Sequence, residues 1–194
     1  MRRNIFISYK HKDKDVMFML DKPKGTRPGD YARYLKNYVL RQDQVHEEEL
    51  GDEDLRGREE EYIHQRLRAK LDQVDLLVIL LTPWMRELDR EPWEQWLTRE
   101  INYALGGDGG RRRAVVGVVL PDKHGSYAYY KRQMHRGELL PILAANIKNG
   151  YIHISEWDSF KNYPGVAIYG ADLRRENIPD VAVDGAIGSP INLT

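Results

Sequence analysis

The stretch DLLVILLT, from Asp75 to Thr82, is an almost unbroken run of apolar residues. A strand with one wet face alternates apolar and polar residues, whereas a strand buried on both faces of a parallel sheet does not. The runs NIFISY (Asn4 to Tyr9) and RAVVGVVLP (Arg113 to Pro121) share this character, and GYIHIS (Gly150 to Ser155) is a weaker example. Together they predict a parallel sheet that is covered on both sides.

Segments with helical periodicity lie between these runs. The first is DYARYLKNYVLRQ, with Asp30 as the expected N-cap, and the second is EEEYIHQRLRAKLDQV. The third is EPWEQWLTREINYALGG, Glu91 to Gly107. Its last two residues begin the motif GGDGG, Gly106 to Gly110, whose glycines are expected to stop the helix and form a turn. This alternation predicts an α/β, TIR/flavodoxin-like three-layer domain with a central parallel sheet of about five strands flanked by helices.

Two parts of the chain do not show such a clear pattern. Residues 42–50 contain few apolar side chains, so they are expected to form a charged loop or an edge strand. We expect residues 1–176 to form a single domain and residues 177–194 to form an irregular tail, because the tail is rich in proline, glycine and small residues. The segment that follows Pro121 is predicted either to cover the site as a lid or to pack ordinarily on the domain.

Composition restricts the possible functions. The 194 residues include 30 basic and 30 acidic side chains, so no net charge favours nucleic acid as a partner. The absence of cysteine removes disulfides, thiolate nucleophiles and cysteine zinc sites. The apolar runs are too short for a signal peptide or a membrane span, and no histidines are spaced as a metal pair. We therefore expect a cytoplasmic protein without a metal or a bound cofactor; the basic tip RRR, residues 111–113, is expected to be solvated.

One carboxylate stands out in the third helix. Its apolar stripe consists of Trp93, Trp96, Leu97, Ile101 and Ala104, and Glu100 interrupts that stripe. An unpaired ionised carboxylate would cost several kcal/mol if it were buried there. Glu100 is therefore expected to be neutralised, to pair with an arginine such as Arg99 or Arg66, or to open into a cleft.

Three motifs resemble parts of a TIR domain. They are RNIFISYKHKD (Arg3 to Asp13), LVILLTPWM (Leu77 to Met85) and WLTREI (Trp96 to Ile101), which are similar to the first strand, the third strand and the third helix of that family. In TIR members that cleave NAD, a tryptophan, three intervening residues, a glutamate and an aliphatic residue carry the catalytic glutamate. The resemblance implies that Glu100 has this role.

The short architecture and the FISYKHKD opening are most similar to the ThsB-type TIR proteins of Thoeris anti-phage systems. This resemblance implies that NAD is the substrate and that the product is a cyclic ADP-ribose isomer or a related ADP-ribose-derived signal. It also implies a separate effector that this product activates, a phage-derived trigger and a possible homo-oligomer. The second-strand region lacks the apolar strand and proline-glycine turn that are usual in the family.

The implied chemistry needs few groups. The bond between ribose and nicotinamide breaks with positive charge developing on the sugar, and the cationic leaving group departs neutral without protonation. One carboxylate can stabilise that charge, and this is the role expected of Glu100. The candidate NAD-binding residues are Ser8, Tyr9, Lys10, Trp84 and Trp96, which would supply stacking surfaces and phosphate donors.

Each of these side chains can also be explained without a ligand, because lysines in loops are usually solvated and tryptophans usually pack in the core. Two other functions also remain open. The protein would be a non-catalytic TIR-like interaction and signalling module if Glu100 is only structural. It would be a nucleoside N-glycosyltransferase or hydrolase if the same carboxylate acts on nucleosides.

Overall fold

The computed structural model describes residues 2–11, 13–19, 25–47, 60–87 and 95–183. The strands in these ranges are β1 (Asn4–Tyr9), β2 (Gln44–Glu47), β3 (Leu76–Leu81), β4 (Ala114–Val119) and β5 (His153–Glu156). The helices are α1 (Pro28–Tyr34), α2 (Glu60–Leu71), α3 (Trp96–Ala104), α4 (Ala128–Arg136), α5 (Pro141–Lys148), α6 (Trp157–Asn162) and α7 (Pro164–Asn177). A π-helical segment, Leu35–Val39, continues α1.

The five strands form one parallel sheet in the order β2-β1-β3-β4-β5. This is the flavodoxin-like order of a doubly wound sheet, in which the direction of winding changes between β1 and β3. Every residue of β3 and β4 is buried, as their unbroken apolar sequences predict. The predicted α/β class, with about five parallel strands in three layers, is confirmed.

Each face of the sheet has its own apolar core. On one face, which we call the α3 face, the core includes side chains of α2, α3, α4 and α5, such as Leu71, Ile101 and Leu143. On the other, the α1 face, it includes side chains of α1, α6 and α7, such as Tyr31 and Phe160. Because side chains alternate along a strand, neighbouring residues of β1 enter different cores.

The structure corrects the predicted start of the first helix. Helix α1 begins at Pro28 rather than after Asp30, and Arg27 is its N-cap. Proline suits the first helical turn because its fixed φ matches the helix and its missing N–H would have no partner there. The carboxylate of Asp30 accepts a hydrogen bond from the backbone N–H of Arg27 at 3.0 Å, so Asp30 caps the helix from inside its first turn.

Residues 42–50 supply an edge strand, which was one of the two predicted outcomes. Strand β2 pairs on one side only, with β1, and residues 48–50 lie outside the described ranges. The glycines after α3 act as predicted: Gly106 has a φ of 100°, which ends the helix, and a short 3-10 turn follows at Gly107–Gly109.

The expectation that residues 111–113 form a solvated tip is wrong for Arg113, which is only 1% exposed. Its guanidinium donates to the backbone oxygens of Val74 at 3.2 Å, Tyr103 at 3.3 Å and Arg111 at 2.6 Å. A salt bridge of 3.4 Å links it to Asp72. Arg113 therefore satisfies carbonyl groups between α2, α3 and the start of β4, which explains why a charge is tolerated there.

The segment after Pro121 packs on the domain. Helices α4 and α5 cover the α3 face, and the hydroxyl of Tyr129 lies 2.7 Å from the carbonyl oxygen of Leu81 and 2.9 Å from that of Leu120. Asn177, the first residue of the expected tail, is the last residue of α7, and residues 178–183 form no helix or strand. Residues 184–194 lie outside the described part, so the irregular tail stays a prediction there. Among the helices in the described ranges, none has the length and apolar character needed to cross a lipid bilayer.

Candidate functional site

The candidate site lies at the carboxyl ends of β1 and β3. Open α/β sheets bind their ligands in the crevice where the strand order reverses, and here that point is between these two strands. Ser8 lies in the last two residues of β1, Lys10 follows the end of that strand, and Trp84 follows the end of β3. Helix α3 brings Glu100 to the same edge.

Strand alternation explains how Ser8 reaches Glu100. Ile5 and Ile7 enter the core of the α1 face, whereas Phe6 enters the core of the α3 face. Ser8 follows the same alternation as Phe6, and its hydroxyl donates a hydrogen bond to Oε2 of Glu100. The sequence places these two residues 92 positions apart, so only the packing of α3 against β1 joins them.

The surroundings of Glu100 favour its protonated form. Burial raises the pKa of the Glu100 carboxyl to about 7, and the hydrogen bond from Ser8 opposes this rise. The whole residue is half-buried, so part of its side chain still contacts solvent although the carboxyl is enclosed enough for burial to dominate. Near neutral pH the carboxyl is therefore divided between its protonated and ionised forms.

A cation does not neutralise this carboxylate within the described ranges. Arg99, which was one expected partner, instead lies over the ring of Trp96 with 5.2 Å between the guanidinium carbon and the ring centroid. The only hydrogen bond to Glu100 from another described side chain comes from Ser8. Glu100 therefore does not form the structural ion pair with Arg99 or Arg66 that was one of the expected outcomes.

A second set of contacts holds the loop after β3 against α3. Gln95, the N-cap of α3, accepts the backbone N–H of Glu87 at 3.0 Å and donates to the backbone oxygen of Glu87 at 2.9 Å. The side chain of Glu87 reaches Lys10 at 3.7 Å. Lys10 is therefore engaged by a carboxylate beside the candidate site, and a ligand phosphate would have to compete with Glu87 for it.

Tyr9 does not share the position of Ser8. Its ring packs on the core of the α1 face, on the other side of the sheet from Glu100. The ring also lies against Gly29 of α1, where an added Cβ would be only 3.3 Å from the Tyr9 hydroxyl oxygen. Its predicted role in NAD binding stays a prediction, and a direct contact with a ribose held by Glu100 is not favoured by this geometry.

Trp84 and Trp96 have different environments. Trp84 is 56% exposed, its backbone N–H donates to Asp13 at 2.7 Å, and its indole N–H donates to Asp15. Trp84 therefore exposes its aromatic ring to solvent near the carboxyl ends of the strands. Trp96 is half-buried against the core of the α3 face, so packing explains its presence without a ligand. Trp93 lies outside the described residues.

Sequence reasoning missed Asp13 and Gln95. Asp13 is buried, and its carboxylate accepts the backbone N–H groups of Asp15 at 2.9 Å and Trp84 at 2.7 Å, which ties the loop after β1 to the loop after β3. The pattern Asp-x-Asp in a loop that follows a buried strand is a signal for an Asx-turn and could have identified this residue. Gln95 has no comparable local signal, because its partner Glu87 is in another segment.

The described residues contain no group of three or more histidine, aspartate or glutamate side chains that could hold a metal ion. No family model matches the chain. Among solved structures, the chain is similar to an NADH:FMN oxidoreductase (EMOB) in its apo form, with a TM-score of 0.42 and 11% identity over 92% of this chain and 91% of that one. A similarity of this size does not bear on the function of the protein.

Proposed function

We propose that this protein is a TIR-type enzyme of bacterial anti-phage defence that cleaves the N-glycosidic bond of NAD. The observation that supports the proposal is the carboxyl group of Glu100, which faces a serine hydroxyl rather than a cation at the carboxyl ends of the sheet. A desolvated carboxyl with a pKa near neutrality, at the carboxyl ends of a parallel sheet, is a frequent property of functional sites.

In the proposed reaction, the bond between ribose C1′ and the nicotinamide nitrogen breaks, and its electron pair neutralises the pyridinium. The ionised Glu100 carboxylate stabilises the positive charge that develops on the ribose. The hydrogen bond from Ser8 to Oε2 fixes the carboxylate and leaves Oε1 for a ribose hydroxyl.

A hydroxyl of the same substrate then attacks C1′ and releases its proton to water, or an adenine ring nitrogen attacks C1′ through its lone pair and the adduct releases a proton from the exocyclic amine to water. Either attack closes a cyclic ADP-ribose isomer or a related product. Water would give hydrolysis instead, so exclusion of water selects the product. Because the resting pKa of Glu100 is about 7, the active ionised form increases as the pH rises through neutrality. The positive nicotinamide ring would favour ionisation further once NAD is bound.

The remaining parts of the proposal concern the cellular context. NAD is the substrate, the enzyme works in the cytoplasm, and its diffusible product activates a separate effector protein. A phage-derived component triggers the reaction, and a homo-oligomer is compatible with the proposal. Neither nucleic acid nor a membrane is a proposed partner, because basic and acidic residues are balanced at 30 each.

The direct test is to incubate the purified protein with NAD and to measure free nicotinamide by chromatography, with and without an extract of phage-infected cells. Glu100→Gln should abolish nicotinamide release while the protein stays folded. Glu176→Gln is the matched control, because Glu176 is exposed and, among the residues that the structure describes, pairs with Arg175 at 3.6 Å. Release that persists in Glu100→Gln would place the chemistry elsewhere. The same assay with nucleosides tests the N-glycosyltransferase alternative.

A non-catalytic interaction module is the second candidate, and one observation favours it. Met17, Phe18 and Trp84 are large exposed apolar side chains near the carboxyl ends of the strands. Exposed apolar residues in one region are typical of protein contact sites. If this function is correct, nicotinamide is not released under either condition, and Phe18→Ser weakens self-association measured by analytical ultracentrifugation.

A further inference from the structure

A cavity of about 640 Å³ lies at the opposite end of the sheet from Glu100. It is found where β1 begins, between the end of the π-helical continuation of α1 and the first turns of α7. Strand β1 has six residues and each adds roughly 3.3 Å, so the cavity is about 20 Å from the Ser8 end of the strand. It is therefore separate from the candidate site, and its volume is within the range of small-molecule pockets.

The charge of this cavity is positive. Three arginines and one aspartate line it: Arg2, Arg3, Arg41 and Asp43. Arg3 is already engaged, because its guanidinium lies 2.7 Å from the carboxylate of Asp172. Asp43 accepts the backbone N–H of Arg3 at 3.0 Å, which holds the carboxylate at the first residues of the sheet.

Arg2 and Arg41 differ from Arg3. Both are exposed, and neither forms a salt bridge with a carboxylate in the part of the chain that the structure describes. The cavity thus contains two guanidinium groups whose charge the surrounding residues leave uncompensated. Guanidinium groups bind phosphate oxygens in bidentate geometry, so an anionic ligand would complete this charge pattern.

Two tyrosines add aromatic surface to the same cavity. Tyr38 is 68% exposed and Tyr169 is 64% exposed, which is unusual for side chains of this size. The ring of Tyr38 is supported from behind by Tyr34, with 5.1 Å between the ring centroids, and Tyr34 in turn contacts Trp157. The supported ring offers a preorganised surface on which a planar group can stack.

We propose that this cavity binds a nucleoside phosphate. In this arrangement Arg2 and Arg41 hold the phosphate, and Tyr38 and Tyr169 contact the base. The combination of charge and aromatic surface favours such a ligand over a simple anion, which would use the arginines alone, and over an apolar ligand, which would use neither arginine. The site does not depend on the cleavage of NAD by Glu100.

The experiment is isothermal titration calorimetry of ADP into the wild-type protein at low salt, with adenosine and inorganic phosphate as separate titrants. ADP should bind more tightly than either fragment, and its affinity should fall as salt increases. Arg2→Ala and Arg41→Ala should each weaken ADP binding by about tenfold or more, because each removes a charged hydrogen-bonding partner.

Two further variants locate the binding. Gly165 lines the cavity at the start of α7, and an added Cβ there would have no atom within 4 Å, so Gly165→Glu adds a negative charge to the lining without a Cβ clash. It should abolish ADP binding. Arg132→Ala is the control, because it removes one exposed positive charge from α4, away from the cavity. Circular dichroism verifies that each variant is folded.

Absence of ADP binding to the wild type would overturn the proposal. Binding that is equally strong in Gly165→Glu and wild type would also overturn it, since ADP would then bind at another place, such as the Glu100 site. Equal affinities for ADP and inorganic phosphate would refute the contribution of the tyrosines.

Discussion

Replacement of Glu100 by glutamine should stabilise the protein, and the gain should grow with pH. Glutamine has nearly the shape of a protonated glutamate, and its side-chain oxygen can still accept the hydrogen bond from Ser8. It differs in that it can never ionise. The variant therefore isolates the free energy that the protein loses when the Glu100 carboxyl becomes charged in its enclosed position.

The magnitude follows from the pKa of this group in the two states. The ordinary value is 4.5, and burial raises the pKa of folded Glu100 to about 7. Between these values the folded state retains a proton that the unfolded chain has lost, so the stability of the wild type falls as the pH rises through this interval. At about 1.4 kcal/mol for each pH unit, the group costs on the order of 3 kcal/mol above neutral pH.

The assay is urea unfolding of wild type and Glu100→Gln at a series of pH values from 5 to 8. The difference in free energy of unfolding should be small at the acidic end and should reach about 2–3 kcal/mol in favour of the variant at the alkaline end. Glu176→Gln, on the exposed face of α7, should show no such trend. A difference that stays constant with pH, or that favours the wild type at high pH, would show that a cation or solvent stabilises the Glu100 carboxylate and would refute the reasoning.

Three further predictions concern single residues. Ser8→Ala removes the hydrogen bond that lowers the pKa of Glu100. The carboxyl should therefore titrate at higher pH in a ¹³C NMR titration of the glutamate side chains, and any nicotinamide release should need more alkaline conditions. Gly110→Ala should destabilise the fold by about 1–3 kcal/mol in urea unfolding, because its Cβ would lie 2.2 Å from the backbone oxygen of Tyr103. Arg113→Met should lower the free energy of unfolding by about 1–3 kcal/mol, because it removes one hydrogen-bond donor from each of the carbonyl groups of Val74, Tyr103 and Arg111.

Each of these changes has a matched control. Ser126→Ala is the control for Ser8→Ala: the Ser126 hydroxyl accepts the backbone N–H of Ala128 at 3.1 Å, and its removal should not move the Glu100 titration. Gly165→Ala should be nearly neutral beside Gly110→Ala, because the added Cβ meets open space. Arg132→Met, at an exposed position, should cost far less than Arg113→Met.

The cost of ionising Glu100 is also relevant to its role. A carboxyl that destabilises the fold at neutral pH is retained at the expense of stability, and groups of this kind are concentrated at functional sites. Glutamine would fit the same position without that cost. The stability measurement and the nicotinamide assay therefore test two different consequences of the same residue, and the first remains informative if the enzyme requires a trigger.

The sequence by itself determined the class of fold and the residue to examine first. Strands β1, β3 and β4 are evident as nearly continuous apolar runs, because burial on both faces of a sheet removes most polar positions from a strand. Glu100 is evident because helical spacing places it within an apolar stripe, and this needs no knowledge of the partners of α3. The glycines after α3 predict the end of that helix for a similarly local reason.

Tertiary structure alone decided the partners of these residues. Ser8 meets Glu100 and Arg113 meets the carbonyl group of Val74 across separations of 92 and 39 positions, and no local pattern encodes such contacts. The same is true of the strand order and of the cavity between α1 and α7. The physical reason is that periodicity reports which side of an element is buried, whereas the identity of the neighbour depends on how separate elements pack against one another.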